Sequence, residues 1–314
     1  MAGSGPVTGR FTALADDYIT SRRAMGYKFG GQAPVVIDLA RHLDDLGVEH
    51  LTITDTAAWA TSTPAAPAWT SGRLGIARGF ARFVHAHDPA TEIPPTRLLP
   101  APSHRTIPYI YSDDDITRLI AAAGNLQPAH RADTYQTMIA LTAVTGMRIG
   151  EIVRLDDSDV DLVDGLLTIR DSKFGKSRQV PLHPSASTAL TDYQRRRDER
   201  RPTPKTTAFF TSAIGTRVLR DNLSTIFPRL VREAGLRSPA GRRAPRAHDL
   251  RHTFAVRTLI EWHRRRLDVN EHIPVLSAWL GHVNPSNTYW YLTGVPELLA
   301  QVTDRLDGDG SVAL

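Results

Sequence analysis

Thr145-Gly146-Met147-Arg148-Ile149-Gly150-Glu151 is the junction on which the reading of this chain turns. An apolar helical run over residues 133–144 ends at Thr145-Gly146, since glycine takes the left-handed conformation that closes a helix at little steric cost. The next turn starts at Met147, which puts Arg148 on a helical corner from which a long basic side chain can enter a cleft. Beyond it the apolar period shortens. Leu162, Leu166, Thr168 and Ile169 flank Asp164-Gly165, and Gln179-Val180-Pro181 resumes extended chain, which predicts a small antiparallel sheet of about three strands over residues 160–181. The second turn of that sheet, residues 172–177, carries Lys173 and Lys176, with Arg178 just beyond. Helical spacing returns over residues 185–197, 222–234, 248–264, 273–280, 286–291 and 296–306. Residues 307–314 are Gly/Asp-rich and are expected to form a flexible tail.

Upstream, Ser112-Asp113-Asp114-Asp115 predicts a helix start, with Ser112 as cap, Asp115 in the reciprocal position of a capping box, and the helix running through residue 123. Residues 11–25, 33–46, 54–61 and 71–85 repeat apolar side chains at three and four, predicting four more helices. Gly47 is the expected C-cap of the second, and Gly26 and Gly30 bracket the turn before it. Between His87 and Ser112 lie Pro89, Pro94, Pro95, Pro100, Pro102 and Pro108, which lack ladder donors and restrict the backbone. The expected division is a helical unit at 1–90, a linker at 91–109, a larger unit at 110–306 and the tail at 307–314. The fold class is mainly α with a small antiparallel β-sheet.

A length of 314 residues exceeds what one hydrophobic core usually organises, and 41% apolar content is enough for two. The net charge of +5, from 38 basic against 33 acidic side chains, and a pI near 9.7 favour a polyanionic partner. No stretch approaches the roughly eighteen apolar residues of a membrane span, and residues 1–10 lack the apolar core of a secretory signal. The expected location is the cytoplasm. Cysteine is absent, which excludes disulfides, thiolate nucleophiles and Cys-based zinc sites. No GxxxxGK[ST], GxGxxG or His-Glu-x-x-His motif is present, and a helix N-terminus explains Asp113, Asp114 and Asp115 better than magnesium does.

Four segments carry chemistry: the junction with Arg148, the hairpin with Lys173, His248-Asp249-Leu250-Arg251, and Leu280-Gly281-His282 with Tyr291 nine residues past the histidine. A phosphodiester transfer needs a nucleophile, charge stabilisation on the non-bridging oxygens and an acid for the leaving oxygen. Arginine offers a planar fork that matches a phosphate, so Arg148 and Arg251 can grip one group together. The spacing of His248 and Arg251 puts imidazole and guanidinium on one helical face. By the same arithmetic His252 points elsewhere and is read as structural. A tyrosine hydroxyl, with an ordinary pKa near 10, needs a cationic environment or a base, for which His248 and His282 are candidates. Spacing alone leaves Tyr289 and Tyr291 as alternatives, one of the Tyr289-Trp290-Tyr291 aromatics turning inward. Lys173 suits the acid, with Lys176 as competitor. Arg22, Arg23, Lys28 and Arg73 in the first unit, and Lys176 and Arg178 in the second, are candidate DNA contacts, against the alternative of a solvated charged face.

In these segments, together with the hairpin Lys173-Phe174-Gly175-Lys176-Ser177-Arg178-Gln179-Val180-Pro181-Leu182 and the run His252-Thr253-Phe254-Ala255, the chain resembles the tyrosine recombinases, also called phage-type integrases, over roughly residues 110–305. The resemblance implies a tyrosine recombinase catalytic domain, preceded by a helical core-binding domain that matches by architecture only, the two clamping DNA from opposite sides. It implies that Arg148 and Arg251 bind the phosphate, Lys173 protonates the leaving 5′ oxygen, His248 assists proton transfer, and His282 fills the position beside the phosphate. Tyr291 becomes the nucleophile and Tyr289 a packing neighbour. It also implies a 3′-phosphotyrosyl intermediate without metal or nucleotide cofactor, and a homotetramer exchanging strands between two double-stranded DNA sites through a Holliday junction, from a protein that can be monomeric when free. The apolar stripe in 296–306 can dock in its own core or on a neighbouring subunit. Phe174 departs from the family's usual glycine after the lysine, which keeps Lys176 in competition. No arm-binding segment is recognised, so a simpler or transposon-borne layout is expected. The rival readings are a type IB topoisomerase, which uses the same groups to relax supercoils, a DNA-binding protein without activity, and a basic helical protein unrelated to DNA.

Overall fold

The computed structural model describes residues 9–99, 107–170, 177–238, 242–282, 284 and 286–294. The chain divides into two units, Met1–Arg105 and Thr106–Leu314. In the first, α1 (Arg10–Ala24), α2 (Ala33–Leu46), α3 (Ile53–Thr61) and α4 (Pro67–His87) enclose Phe11, Val36, Leu39, Leu43, Leu51, Trp59, Leu74, Phe80 and Val84. Helix α4 starts four residues earlier than its apolar spacing suggests, because Pro67 at its first turn fits a position where no N–H is needed. The first amides of α1, which have no intrahelical acceptor, are tied to α2 through Asp44, whose carboxylate accepts from the N–H groups of Phe11 and Thr12 at 2.8 and 2.9 Å. The proline-rich stretch continues this unit as far as the described residues run: Glu92 N–H donates to Leu51 O, Arg78 donates to the carbonyls of Pro94 and Pro95, and Leu98 and Leu99 pack on the core.

One of the basic side chains expected to meet DNA is committed elsewhere. Arg73 is buried, paired with Asp38 at 2.7 Å, with its guanidinium 3.9 Å from the Trp59 ring centroid and 4.6 Å from that of Trp69. Its expected place at a DNA face is corrected on that ground: the site stabilises a cation between aromatic faces and a carboxylate, inside the unit. Arg22 is half-buried over the Tyr27 ring at 4.2 Å, whereas Arg23 and Lys28 are exposed.

The second unit opens with α5 (Asp113–Gly124), whose capping box joins Ser112 and Asp115 as the spacing predicts. Helix α6 (Ala129–Thr145) runs through its middle, against α5, α8 and α10. It is followed by the short α7 (Ile149–Ile152), then β1 (Val160–Asp161), β2 (Leu166–Ile169) and β3 (Arg178–Pro181) in an antiparallel sheet of order β1-β2-β3. Leu167 faces Val180 across the sheet, and both are buried together with Ile169, so one face of the sheet closes on the core while Arg178 stands at the end next to the β2–β3 turn. Lys173 and Lys176 come between β2 and β3 in the sequence and lie outside the described residues, as do residues 295–314. The remaining helices are α8 (Pro184–Arg200), α9 (Arg220–Glu233), α10 (Ala247–Arg264), α11 (Val269–Leu280) and α12 (Ser286–Gly294). Helix α10 joins two cores: Leu250 packs with α5, α6 and α9, while Ala255, Val256 and Leu259 pack with α11 and Tyr291. Among the described residues no helix is long and apolar enough to cross a membrane.

Gly146 ends α6 at φ 64°, and a Cβ there would stand 2.5 Å from Phe254 Cδ1 and 3.1 Å from Leu280 Cδ2. Both the left-handed backbone and the close approach of α10 and α11 demand glycine. Gly146→Ala is expected to lower the unfolding free energy by about 2 kcal/mol or more, read by chemical denaturation.

Candidate active site

A helix leaves its last carbonyls without intrahelical partners, and its dipole makes that end attractive to cations. At the end of α11, three arginines from three elements take three consecutive carbonyls. Arg178 Nε donates to Trp279 O at 2.7 Å, Arg251 Nη2 to Leu280 O at 2.6 Å, and Arg148 Nη2 to Gly281 O at 3.1 Å. Arg251 is anchored again by Nη1, which donates to Gly146 O at 2.8 Å, and Trp279 Nε1 donates to Thr145 O at 2.8 Å. The end of α6 and the end of α11 are thereby tied together. Gly281 has φ 62°, and a Cβ there would meet Arg178 Nη1 at 2.7 Å, so this corner too admits only glycine.

Behind the arginines lies Glu151, its side chain 2% exposed. Oε1 accepts from Arg148 Nη1 at 2.8 Å and Arg178 Nη1 at 3.1 Å; Oε2 accepts from Arg178 Nη2 at 2.9 Å and from the Arg148 N–H at 3.0 Å. Burial works to raise the pKa of this carboxyl, but Arg178 and Arg148 outweigh it and hold it at about 2. Arg251 is 1% exposed. Burial, then Arg148, push its pKa down to about 9, while Tyr291 and Glu151 oppose them, and the group stays charged at neutral pH.

Tyr291 projects from α12 into the core formed with α10 and α11 and is 2% exposed. Its hydroxyl lies 2.7 Å from Nδ1 of His252. The His252 ring in turn meets His248 edge-on at 4.7 Å between centroids, and Trp290 at 6.1 Å. This corrects the expectation that His252 points away from the chemistry. At about 100° per residue, His252 is only about 40° from His248 around α10, closer than Arg251. Counting four residues on from His248, rather than one from Arg251, is the signal in the sequence that finds it. Desolvation, then His248, Arg251, Arg246 and His282, press the His252 pKa down to about 3, so its ring is neutral near pH 7. His248 has an exposed edge, and desolvation of its inner side, followed by Arg251 and Arg246, likewise lowers its pKa. His282 Nδ1 lies 2.8 Å from Thr288 Oγ1, across the turn between α11 and α12.

The fold thus brings Arg148, His248, Arg251, His282 and Tyr291 into one electrostatically coupled cluster and adds Glu151, Arg178 and His252 to it. Two expectations are corrected. Arg178, expected as a phosphate anchor, is 13% exposed against 28% for Arg148, and its Nε, Nη1 and Nη2 are all held, by the Trp279 carbonyl and Glu151, so it stands as an internal brace. Tyr289, expected as a packing neighbour, is 43% exposed, so the inward-facing tyrosine is Tyr291.

Residues 110–295 match the phage integrase family, and the chain belongs to that family, the tyrosine recombinases. It is 39% identical over 304 residues to y4rB of Sinorhizobium fredii, which bears the name integrase/recombinase, covering 95% of this chain and 97% of that one. It is 30% identical over 249 residues to the tyrosine recombinase XerD of Mycobacterium tuberculosis, covering 77% of this chain and 75% of that one. Among solved structures, the XerH site-specific recombinase in a post-cleavage complex with a palindromic difH substrate shares the fold, with a TM-score of 0.65 at 18% identity over 96% of this chain and 84% of that one.

The depressed pKa of Glu151 fixes the sign of its pH dependence. Its contribution to stability is complete above its ordinary value of 4.5 and is lost as pH falls towards about 2, an interval worth about 3 kcal/mol. Glu151→Gln should lower the unfolding free energy at pH 7 by about 3 kcal/mol. Chemical denaturation of both proteins from pH 7 downwards should show that gap closing below pH 4.5.

Proposed function

We propose that this chain performs site-specific DNA recombination, with Tyr291 as the nucleophile that cuts and rejoins each strand. The observation that carries this reading is a buried tyrosine hydroxyl in the same cluster as two charged arginines and three histidines. Tyr291 Oη attacks the scissile phosphorus, forming a 3′-phosphotyrosyl bond, and the P–O5′ bond breaks. The non-bridging oxygens, which carry the negative charge of the transition state, are bound by Arg148 and Arg251, with His248 and His282 beside them. Since the bonds to Glu151 and to the carbonyls of Gly146, Leu280 and Gly281 hold both forks before DNA arrives, little reorganisation is needed when the phosphate is seated. The departing 5′ oxygen takes its proton from Lys173, a role assigned from the family resemblance, with Lys176 as the alternative. Attack by that 5′ hydroxyl on the phosphotyrosyl bond reverses the step and needs no outside energy.

We assign the helical unit at residues 1–90 to DNA binding, with Arg22, Arg23 and Lys28 as its remaining candidate contacts. The partners are two double-stranded DNA sites, with four copies assembled on them and a monomer when free, in the cytoplasm. The DNA-bound XerH complex supports this choice of partner.

A nicked suicide duplex drawn from DNA flanking the encoding gene tests the nucleophile. The wild-type chain should form a covalent adduct that mass spectrometry maps to Tyr291, and Tyr291→Phe should form none while binding the duplex as before; unchanged cleavage by that variant would sink the assignment. Holliday junctions and recombinants, rather than relaxed circles alone, separate the reaction from a topoisomerase. Arg148→Lys keeps the charge but loses the fork, so single-turnover cleavage should slow by roughly 100-fold or more with little change in DNA affinity at low salt.

A further inference from the structure

We propose that His252 is a catalytic residue: it takes the proton of the Tyr291 hydroxyl as the tyrosine attacks. This rests on Tyr291 being the nucleophile. The contact is direct, with Nδ1 2.7 Å from Oη, and neither partner is at liberty to turn away. Tyr291 is buried in the core of α10 and α11, and the His252 ring is held between His248 at 4.7 Å and Trp290 at 6.1 Å. No sequence motif that pairs His248 with Arg251 singles this residue out, and His282, the other histidine near the turn into α12, has its Nδ1 on Thr288 instead.

Chemistry assigns the direction of the hydrogen bond. A neutral imidazole has one N–H and one lone pair. Burial first, and then the electrostatics of its neighbours, keep His252 neutral: His248, Arg251 and Arg246 act from α10 and its N-cap, and His282 from the turn between α11 and α12. With the N–H on Nε2, the Nδ1 lone pair accepts from the tyrosine O–H. The step balances as follows. The Oη–H bond breaks and its proton passes to Nδ1, giving an imidazolium. The Oη–P bond forms as the P–O5′ bond breaks, and the leaving oxygen takes its proton from the acid of the proposed function, Lys173 or its alternative Lys176. On rejoining, Nδ1 returns its proton to Oη.

The surroundings also make the transfer conditional on substrate. In the free chain burial, together with the positive charge of Arg251 and Arg246, opposes protonation of His252, so the tyrosine keeps its proton. A phosphodiester seated on Arg148 and Arg251 offsets those charges and raises the affinity of Nδ1 for a proton at the moment the hydroxyl must lose one. The nucleophile is therefore activated by the group it attacks, and a buried tyrosine that meets no phosphate stays unreactive.

His252→Asn separates holding from proton transfer, because its amide can occupy the Nδ1 position and accept a hydrogen bond but cannot take up a proton. On the suicide duplex, between pH 7 and 9, the wild-type single-turnover rate should be flat. The variant should bind DNA normally, cleave at least about 100-fold more slowly at pH 7, and gain about tenfold per pH unit as the phenol ionises by itself. A wild-type rate, or a loss of the same fraction at every pH, would overturn the proposal and leave His252 a structural contact. Nitrogen-15 NMR of the wild-type histidines, assigned by comparison with the variant, should find Nδ1 of His252 unprotonated and Nε2 protonated; an Nδ1–H tautomer would make the ring a donor and overturn it as well. Should the asparagine variant fail to fold, selective labelling of position 252 lets that tautomer decide by itself. The two readings fail differently. Covalent attachment surviving in Tyr291→Phe removes the nucleophile and this inference with it, whereas an inactive Tyr291→Phe beside a fully active His252→Asn removes the inference alone.

Discussion

The carbonyl end of α11 against three guanidinium groups is the interaction on which the second unit depends. Burying a charge is costly unless it is paired and hydrogen-bonded with good geometry. Arg251, at 1% exposure, meets that condition only because Leu280 O and Gly146 O lie where its fork needs them. Those two carbonyls terminate different helices, so the packing of α6 against α11 and the placement of the arginine are one event. Glu151 plays the matching part for Arg148 and Arg178, with both oxygens doubly bonded in a buried position.

This arrangement is stable as protein but leaves charge unbalanced. Three guanidiniums surround a single buried carboxylate at the described site, while the neighbouring Arg246 is already paired with Asp249. Burial, and after it this surplus, depresses the pKa of both His248 and His252, and the surplus biases the site towards an anion. Phosphodiester oxygens are such anions, and the rigidity that holds the arginines before DNA arrives is what electrostatic catalysis requires. Stability and the proposed chemistry draw on the same hydrogen bonds here, which is why the glycines at 146 and 281 matter to both: each removes a Cβ where a guanidinium or a neighbouring helix must come close.

Much of the secondary structure was legible because its causes are local. The Ser112–Asp115 capping box, the helix end at Gly146 and the three-stranded sheet all follow from side-chain type and period within a few residues. Where the reading differed from the structure, longer-range packing was responsible. The stretch through Pro94 and Pro95 looks like linker in composition, yet Arg78 captures its carbonyls and Leu98 and Leu99 cover the helical core. Arg73 looks like a surface cation, yet Trp59, Trp69 and Asp38 converge on it from three other places in the sequence.

The candidate site divides along the same line. Residue chemistry and spacing picked out candidate arginines and histidines and left Tyr289 and Tyr291 as alternatives, between which the family resemblance chose, since a fork of donors, an imidazole and a hydroxyl are properties of side chains and helical neighbours are fixed by a period of 3.6. What spacing could not reach was the pairing of His252 with Tyr291, which are 39 residues apart, or of Arg148 with the Gly281 carbonyl, 133 residues apart. Nor could it separate Arg178 as a brace from Arg148 as the proposed binding group, because both carry the same charge and both bond Glu151 and the end of α11, and they differ in how far the fold leaves them exposed, 13% against 28%. Such partners are chosen by how α10, α11 and α12 pack against one another, and burial then makes each choice costly to undo.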